Sequence, residues 1–179
     1  IRVKLLVFYF SLLFTLTSAL PVPVTSPYQL AALRRHYEQA ASDEAAGEKF
    51  YQLMISYNQH DPVVLGYKGA AEAIKARDAA FLEKLGYVHA AAQTFEQAVA
   101  LNPKNPEIRY LRFSVETNLP GFLGMSKHVE EDRQVLVASL LKHPGSGIDA
   151  EVFKTIRYYL VKHGHVNPAE AEKLEKIKA

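Results

Sequence analysis

Hydrophobic residues recur every three or four positions along most of this chain, which is the spacing of one face of an α-helix. Two such stripes flank the segment 102–106, and they consist of Ala91, Phe95, Ala98 and Val99 before it and Ile108, Leu111 and Val115 after it. Asparagine and proline in the segment between them end the first helix and begin the second. The pattern therefore predicts a helical hairpin with small residues at its contact face.

A capping residue followed by proline marks the start of several further predicted helices. These pairs are Ser26-Pro27, Asp61-Pro62, Asn105-Pro106 and Asn167-Pro168. Asp43, Ser126 and Asp149 give the same signal without proline. The periodicity is ambiguous between 77 and 82, where the third and fourth helices could be nearly continuous. No strand-like alternation competes with these patterns, so we predict an all-α protein of about seven or eight helices.

The first residues of the chain have a different composition from the rest. Arg2 and Lys4 precede an uncharged run at 5–16, and small residues follow it up to Ala19. A basic region, a hydrophobic region and a small-residue cleavage site follow each other in this order in secretory signal peptides. The alternative is an uncleaved membrane anchor, because the apolar run can be stretched to about the length that a bilayer requires.

These features divide the chain into three parts. We predict a signal peptide at 1–19, a proline-rich linker at 20–27 and a single all-α domain at 28–179. Cleavage would export the domain to the periplasm or the extracellular space, without stable insertion in the membrane.

Composition narrows the possible functions. The chain has no cysteine, so it has no disulfide, no thiolate metal site and no cysteine nucleophile. It has 21 Lys and Arg against 19 Asp and Glu, and without Arg2 and Lys4 the two charges balance. No basic stripe with interleaved aromatic residues is present, so we expect no nucleic-acid partner.

Two helical segments share a pattern at an offset of 45 residues. The matching sets are Ala46, Phe50 and Leu53 in the first and Ala91, Phe95 and Ala98 in the second. The second set, followed by Pro103, resembles the second-helix half of a tetratricopeptide repeat (TPR). The first-helix consensus positions then fall at Lys75, Asp78, Ala79 and Leu82, where that family prefers Trp, Leu, Gly and Tyr. The resemblance implies stacked antiparallel helical hairpins in a right-handed solenoid.

A wider stretch, 67–141, resembles uncharacterised exported helical proteins of Bacteroidetes. The resemblance lies in the segments YKGAAEAIKAR, FEQAVALNPKNPEIRYLRFSVETNLPGFLG and EEDRQVL. It implies export and a helical fold, and it implies neither an activity nor catalytic residues.

The candidate binding residues lie on the third and fifth predicted helices and on the loop that follows the fifth. We expect Tyr67, Arg109 and Arg112 to line a concave surface formed by the first, third and fifth helices, where arginines would clamp a peptide carboxylate. The alternative for Arg112 is an ion pair with Glu116 one turn later. Phe122 and its neighbour Leu123 either close the hairpin core, which we favour, or contact a partner from a loop held rigid by proline.

Signals for catalysis are weak. His163 and His165 form the only close histidine pair, and a metal site there would need a third ligand from elsewhere. The acidic run 130–132 indicates a solvated helix start, and the glycines at 66 and 69 indicate close helix packing. We therefore predict an exported, non-catalytic helical-repeat protein that binds a protein or peptide and needs no cofactor. The alternatives are a metal-assisted hydrolase using the histidine pair and a membrane-tethered envelope component.

Overall fold

The computed structural model describes residues 26–178, which contain eight α-helices, one short 3₁₀ helix and no β-strand. The helices are α1 (Leu30–Ser42), α2 (Glu44–Ile55), α3 (Pro62–Asp78), α4 (Phe81–Leu101), α5 (Pro106–Glu116), α6 (Val129–Leu141), α7 (Ala150–Lys162) and α8 (Pro168–Glu175). The 3₁₀ helix is η1 (Gly121–Leu123), between α5 and α6. The all-α prediction holds for these residues. The predicted signal peptide, its membrane-anchor alternative and most of the predicted linker lie outside them.

Local capping signals explain where most helices begin. Asp61 and Asn105 each accept two backbone N–H groups at the starts of α3 and α5, and proline follows each of them. Asn167 and Glu170 form a capping box at the start of α8. These starts were predicted from the sequence and are confirmed. A break also separates α3 from α4, at Ala79 and Ala80.

Two predicted starts are wrong. Helix α1 begins at Leu30, after Gln29, and does not begin at Pro27. Helix α6 begins at Val129, because the hydroxyl of Ser126 donates a hydrogen bond to the carbonyl of Glu116 at 2.6 Å. That hydroxyl therefore holds the loop against the end of α5 and does not cap α6.

The first six helices pack as neighbouring hairpins. Each helix contacts the next one along the chain, and the odd-numbered helices α1, α3 and α5 also pack in sequence, α1 on α3 and α3 on α5. Glycine permits the closest approaches: a Cβ on Gly69 would lie 3.1 Å from the ring of Phe95, and one on Gly66 would lie 3.2 Å from Leu111. Both glycines therefore serve helix packing, as predicted.

Helix α5 belongs to two hydrophobic cores. Ile108 and Leu111 join the core of α1–α5, whereas Phe113 joins the core formed with α6, α7 and α8. Helix α8 is part of the fold and is not a loose tail, because Leu174 is fully buried and Arg157 donates hydrogen bonds to backbone carbonyls at its end.

Within the described range, no helix combines the length and the apolar composition that crossing a bilayer would require.

Candidate functional site

The two arginines of the predicted clamp bind a carboxylate of the protein itself. Arg112 donates to both oxygens of Asp132, with Nε–Oδ2 and Nη2–Oδ1 distances of 2.8 and 2.7 Å. Arg109 Nη1 donates to Asp132 Oδ1 at 2.7 Å and to Glu131 Oε1 at 2.6 Å. The hydrogen bond from Arg109 lowers the pKa of the Glu131 carboxyl below its ordinary value.

Burial places this cluster in the interior. Both arginines are 4% exposed and Asp132 is fully buried. The predicted solvated helix start therefore holds for Glu130 and Glu131, which are exposed in the first turn of α6, and is wrong for Asp132. Arg112 also does not form the predicted pair with Glu116, whose carboxylate instead accepts from the backbone N–H of His128 at 2.7 Å. The arginines therefore join α5 to α6, and their donors are directed away from solvent.

Tyr67 lies in a separate buried network. Its hydroxyl donates to Glu107 Oε1 at 2.7 Å, and Arg34 donates to both oxygens of the same carboxylate at 2.8 and 2.9 Å. Tyr67 is 3% exposed, and burial raises its pKa well above the ordinary value. This network joins α1, α3 and α5. The concave binding surface stays a prediction, and its three named residues have internal partners.

Phe122 is the one predicted contact residue on the surface. Its side chain, in η1, is 88% exposed, so the favoured expectation that it closes the hairpin core is wrong. Leu123 beside it is partly buried. The end of this loop is fixed by His128, whose Nδ1 lies 2.7 Å from Glu116 Oε1.

The histidine pair lies among aromatic rings. His163 and His165 have ring centroids 6.3 Å apart, and both rings lie against Tyr159. Burial lowers the pKa of His165. Across residues 26–178, no group of three or more His, Asp or Glu side chains is arranged to hold a metal ion.

A surface pocket of about 360 Å³ lies between α2, α3 and α4. Its lining residues are Tyr51, Ile55, Lys68, Glu72, Glu83, Gly86, Tyr87 and Ala90. Its volume falls at the lower end of the range that ligand pockets occupy, roughly 300–1,000 Å³. We refer to it below as the α2–α4 pocket.

Two tyrosines line this pocket, and a lysine outside the lining lies over their rings. The rings of Tyr51 and Tyr87 meet edge to face, with centroids 5.7 Å apart. Lys75 Nζ lies 5.7 Å from the first ring centroid and 6.0 Å from the second, while it also binds Glu48 Oε2 at 2.7 Å. The hydrogen bond with Glu48 raises the pKa of Lys75. The electron-rich ring faces thus already accept one cation.

Glu72 is the pocket's unusual carboxyl group. Its Oε2 atom is buried and has no hydrogen-bond partner among the described residues. Burial raises the pKa of this carboxyl, and the hydroxyl of Thr94 and the positive charge of Lys68 oppose that rise. Lys68 itself donates to the backbone carbonyl of Tyr57 at 3.2 Å.

An exposed apolar ridge borders the pocket. We define the α4 ridge as Phe81, Leu82 and Leu85, whose side chains are 85%, 91% and 48% exposed. They lie three and four residues apart and therefore adjoin on one side of the helix. Ile55, at the end of α2 and in the pocket lining, is 51% exposed.

Gly86 connects the ridge with the pocket, because it follows Leu82 by one turn and lines the pocket. A Cβ at Gly86 would meet no heavy atom within 4 Å, unlike a Cβ at Gly47, Gly66 or Gly69. Glycine within a helix costs about 1 kcal/mol relative to alanine. At Gly86 no close packing compensates for that cost, and the absent side chain leaves the pocket open.

The sequence contains a partial signal for this site. Phe81 and Leu82 follow directly after the uncapped break at Ala79-Ala80, and Leu82 lies nine residues before Ala91, on the opposite side of the helix. A glycine within the same helix follows Leu85 at once. A large apolar residue opposite the core stripe, as at Leu82, indicates that the start of α4 exposes apolar surface.

No protein-family model, curated protein or solved structure matches this chain. The resemblances to TPR proteins and to exported Bacteroidetes proteins therefore stay predictions. Of the inferred first-helix consensus positions, Lys75 and Asp78 lie in the last turn of α3 and Leu82 lies in the first turn of α4.

Proposed function

We propose that this protein is an exported, non-catalytic helical-repeat protein that binds a protein or peptide through the α2–α4 pocket and the α4 ridge. The observation that carries this proposal is the exposure of Phe81, Leu82 and Leu85 beside an open pocket. Large apolar side chains grouped on a surface are typical of interaction sites.

The packing of the helices supports the repeat part of the proposal. In a stack of antiparallel hairpins, each helix contacts its neighbours in sequence, and the first helices of successive hairpins also contact each other. Helices α1 to α6 have these contacts, with α1, α3 and α5 as the first helices of three hairpins. We therefore favour a TPR-like right-handed solenoid of stacked hairpins for this part of the chain.

The chemistry of the site also suits binding. Tyr51 and Tyr87 offer rigid aromatic area, Glu72 and Glu83 offer charged acceptors, and the ridge offers apolar area. Apolar contact gives affinity, and a few polar groups fix the orientation of a ligand. Arg109, Arg112 and Tyr67 already bind carboxylates of the protein itself. We therefore favour the surface at the α2–α4 pocket and the α4 ridge over the predicted concave surface.

A peptide display library tests the binding function. We expect the protein to select peptides that lose binding to a Leu82→Asp, Leu85→Asp variant, because charged groups on the ridge prevent apolar contact. Leu101→Asp is the matched control, since Leu101 lies on the same helix with a similar exposure of 53%. Selected peptides that bind both variants equally would place the interface elsewhere, and Phe122→Asp would then test the exposed loop. Failure to select any peptide would contradict the proposal.

Export is tested separately by mass spectrometry of the protein recovered from its source cells. Export with cleavage predicts that the mature chain lacks residues 1–19. An intact N-terminal segment in a membrane fraction would favour the anchor.

A further inference from the structure

Some charged groups around the α2–α4 pocket have an ion-pair partner within the protein, and others do not. Lys75 is paired with Glu48, and Lys68 donates to a backbone carbonyl. Within residues 26–178, the carboxylates of Glu72 and Glu83 have no ion-pair partner. Lys68 keeps its positive charge, because a backbone carbonyl is neutral, and with Glu72 and Glu83 it leaves the pocket lining with one net negative charge.

The walls of the pocket suit the stem of a long cationic side chain. Tyr87 and Ala90 provide apolar surface, and Gly86 leaves the space beside them unfilled. Lys75, over the rings of Tyr51 and Tyr87, shows the same combination of a cation, aromatic faces and a carboxylate within the chain itself. A cationic side chain of a binding partner would pair with the carboxylate of Glu72.

We infer that the α2–α4 pocket binds a Lys or Arg side chain of the partner, next to an apolar partner residue that packs on the α4 ridge. This inference rests on the proposed function, since it names the chemistry that the same site recognises. The charged head donates hydrogen bonds to Glu72, and Glu83 adds negative charge at the pocket lining. The apolar neighbour covers Leu82 and Leu85, which adjoin the pocket through Gly86.

Two capped tripeptides test the inference: acetyl-Leu-Lys-Leu-amide and the same peptide with norleucine in place of lysine. Norleucine keeps the apolar stem and removes the charge. Amide chemical shifts from ¹⁵N-labelled protein report both the affinity and the place of binding. We expect the lysine peptide to shift the amides of Glu72, Gly86 and Tyr87 and to bind about tenfold more tightly than the norleucine peptide, as a hydrogen bond to a charged group requires.

Two variants sharpen the test. Glu72→Gln should reduce the affinity for the lysine peptide to that for the norleucine peptide. Glu96→Gln should leave that affinity unchanged, because Glu96 is an exposed residue of α4 outside the pocket lining. Gly86→Gln should weaken binding of the lysine peptide while keeping α4 intact, because a Cβ at this position meets no heavy atom within 4 Å and glutamine favours the helix more than glycine does.

Equal binding of the two peptides would overturn the inference. If the Leu82→Asp, Leu85→Asp variant then lost both peptides, the proposed binding function would stand without its cationic specificity. Shifts confined to other surfaces, or no binding of the lysine peptide, would also overturn the inference. Sedimentation that showed a dimer of the free protein, dispersed by the ridge variant, would assign the ridge to a second copy of the chain and overturn it as well.

Discussion

The two halves of helix α4 use hydrophobic residues in opposite ways. In the second half, Ala91, Phe95 and Ala98 are at most 2% exposed and form part of the main core. In the first half, Phe81 and Leu82 are 85% and 91% exposed. The two halves belong to one continuous helix and carry similar side chains, so composition does not separate them.

What separates the halves is the surface that each one meets. Gly69 on α3 lets the ring of Phe95 approach within 3.1 Å of the position that a Cβ would occupy. In the first half, the space next to Gly86 is empty, and the ridge faces solvent. The second half therefore stabilises the fold, whereas the first half offers apolar area that the fold itself does not use.

The largest effect that tests this comparison comes from the two phenylalanines of α4. We expect Phe95→Ala to lower the free energy of unfolding by about 3–5 kcal/mol, because it removes a buried ring and leaves a cavity. Phe81→Ala should change it by less than about 0.5 kcal/mol, since that ring is exposed. Urea unfolding followed by circular dichroism measures both values. Similar losses in the two variants would show that the ridge contributes to the folded core.

The glycines provide the next test. Gly69→Ala should destabilise the protein by about 1 kcal/mol, because overpacking against Phe95 exceeds the gain in helix propensity. Gly86→Ala should stabilise it by up to about 1 kcal/mol, since the added methyl group meets nothing. Thermal unfolding of both variants gives the sign directly. Destabilisation by Gly86→Ala would contradict the open space described at the pocket.

Local signals in the sequence predicted most of the helix starts. Asp61 and Asn105 specify helix starts through hydrogen bonds to residues two and three positions later, and those bonds depend little on the rest of the structure. Ser126 follows the same pattern, yet its hydroxyl contacts the carbonyl of Glu116, ten residues earlier. At Ser126, a tertiary hydrogen bond therefore takes the place of the local capping bond.

Long-range contacts explain why the candidate site was only partly predictable. Arg112 has Glu116 one turn away on its own helix, but the structure pairs it with Asp132 on α6. The partner lies twenty residues away, and only the packing of α5 on α6 brings the two together. Similarly, Phe81 lies on the same helical stripe as Phe95 but is 85% exposed, because its exposure depends on where α4 meets its neighbours.

A smaller effect should come from Glu72, which lies beside the exposed half of α4. Burial raises its pKa in the folded protein above the ordinary value of 4.5, so the folded state holds this proton more tightly than the unfolded state. Stability from this group is therefore greatest in acid, and it falls as the pH rises through about 4.5 towards the folded pKa. Glutamine has no carboxyl group to ionise, so Glu72→Gln should stabilise the protein at neutral pH by less than about 1 kcal/mol.

Urea unfolding of wild type and Glu72→Gln at acid and neutral pH checks this prediction. The two proteins should be closest in acid and should separate as the pH rises. The exposed Glu96→Gln variant controls for the loss of one negative charge. A variant that is less stable at neutral pH would show that the Glu72 carboxylate has a favourable partner in the folded protein.

A small change in stability is also expected for the Leu82→Asp, Leu85→Asp variant, and it distinguishes a binding surface from a weakly packed part of the core. Leu82 is 91% exposed and Leu85 is 48% exposed, so two aspartates near the start of α4 should change the free energy of unfolding by less than about 1 kcal/mol in total. Negative charge near a helix N-terminus also interacts favourably with the helix dipole. Urea unfolding of this variant beside Leu101→Asp measures the change. A loss of several kcal/mol would mean that the ridge is required for folding, and any loss of peptide binding in the variant would then reflect unfolding. Unchanged stability with lost binding would leave contact with a partner as the role of the ridge.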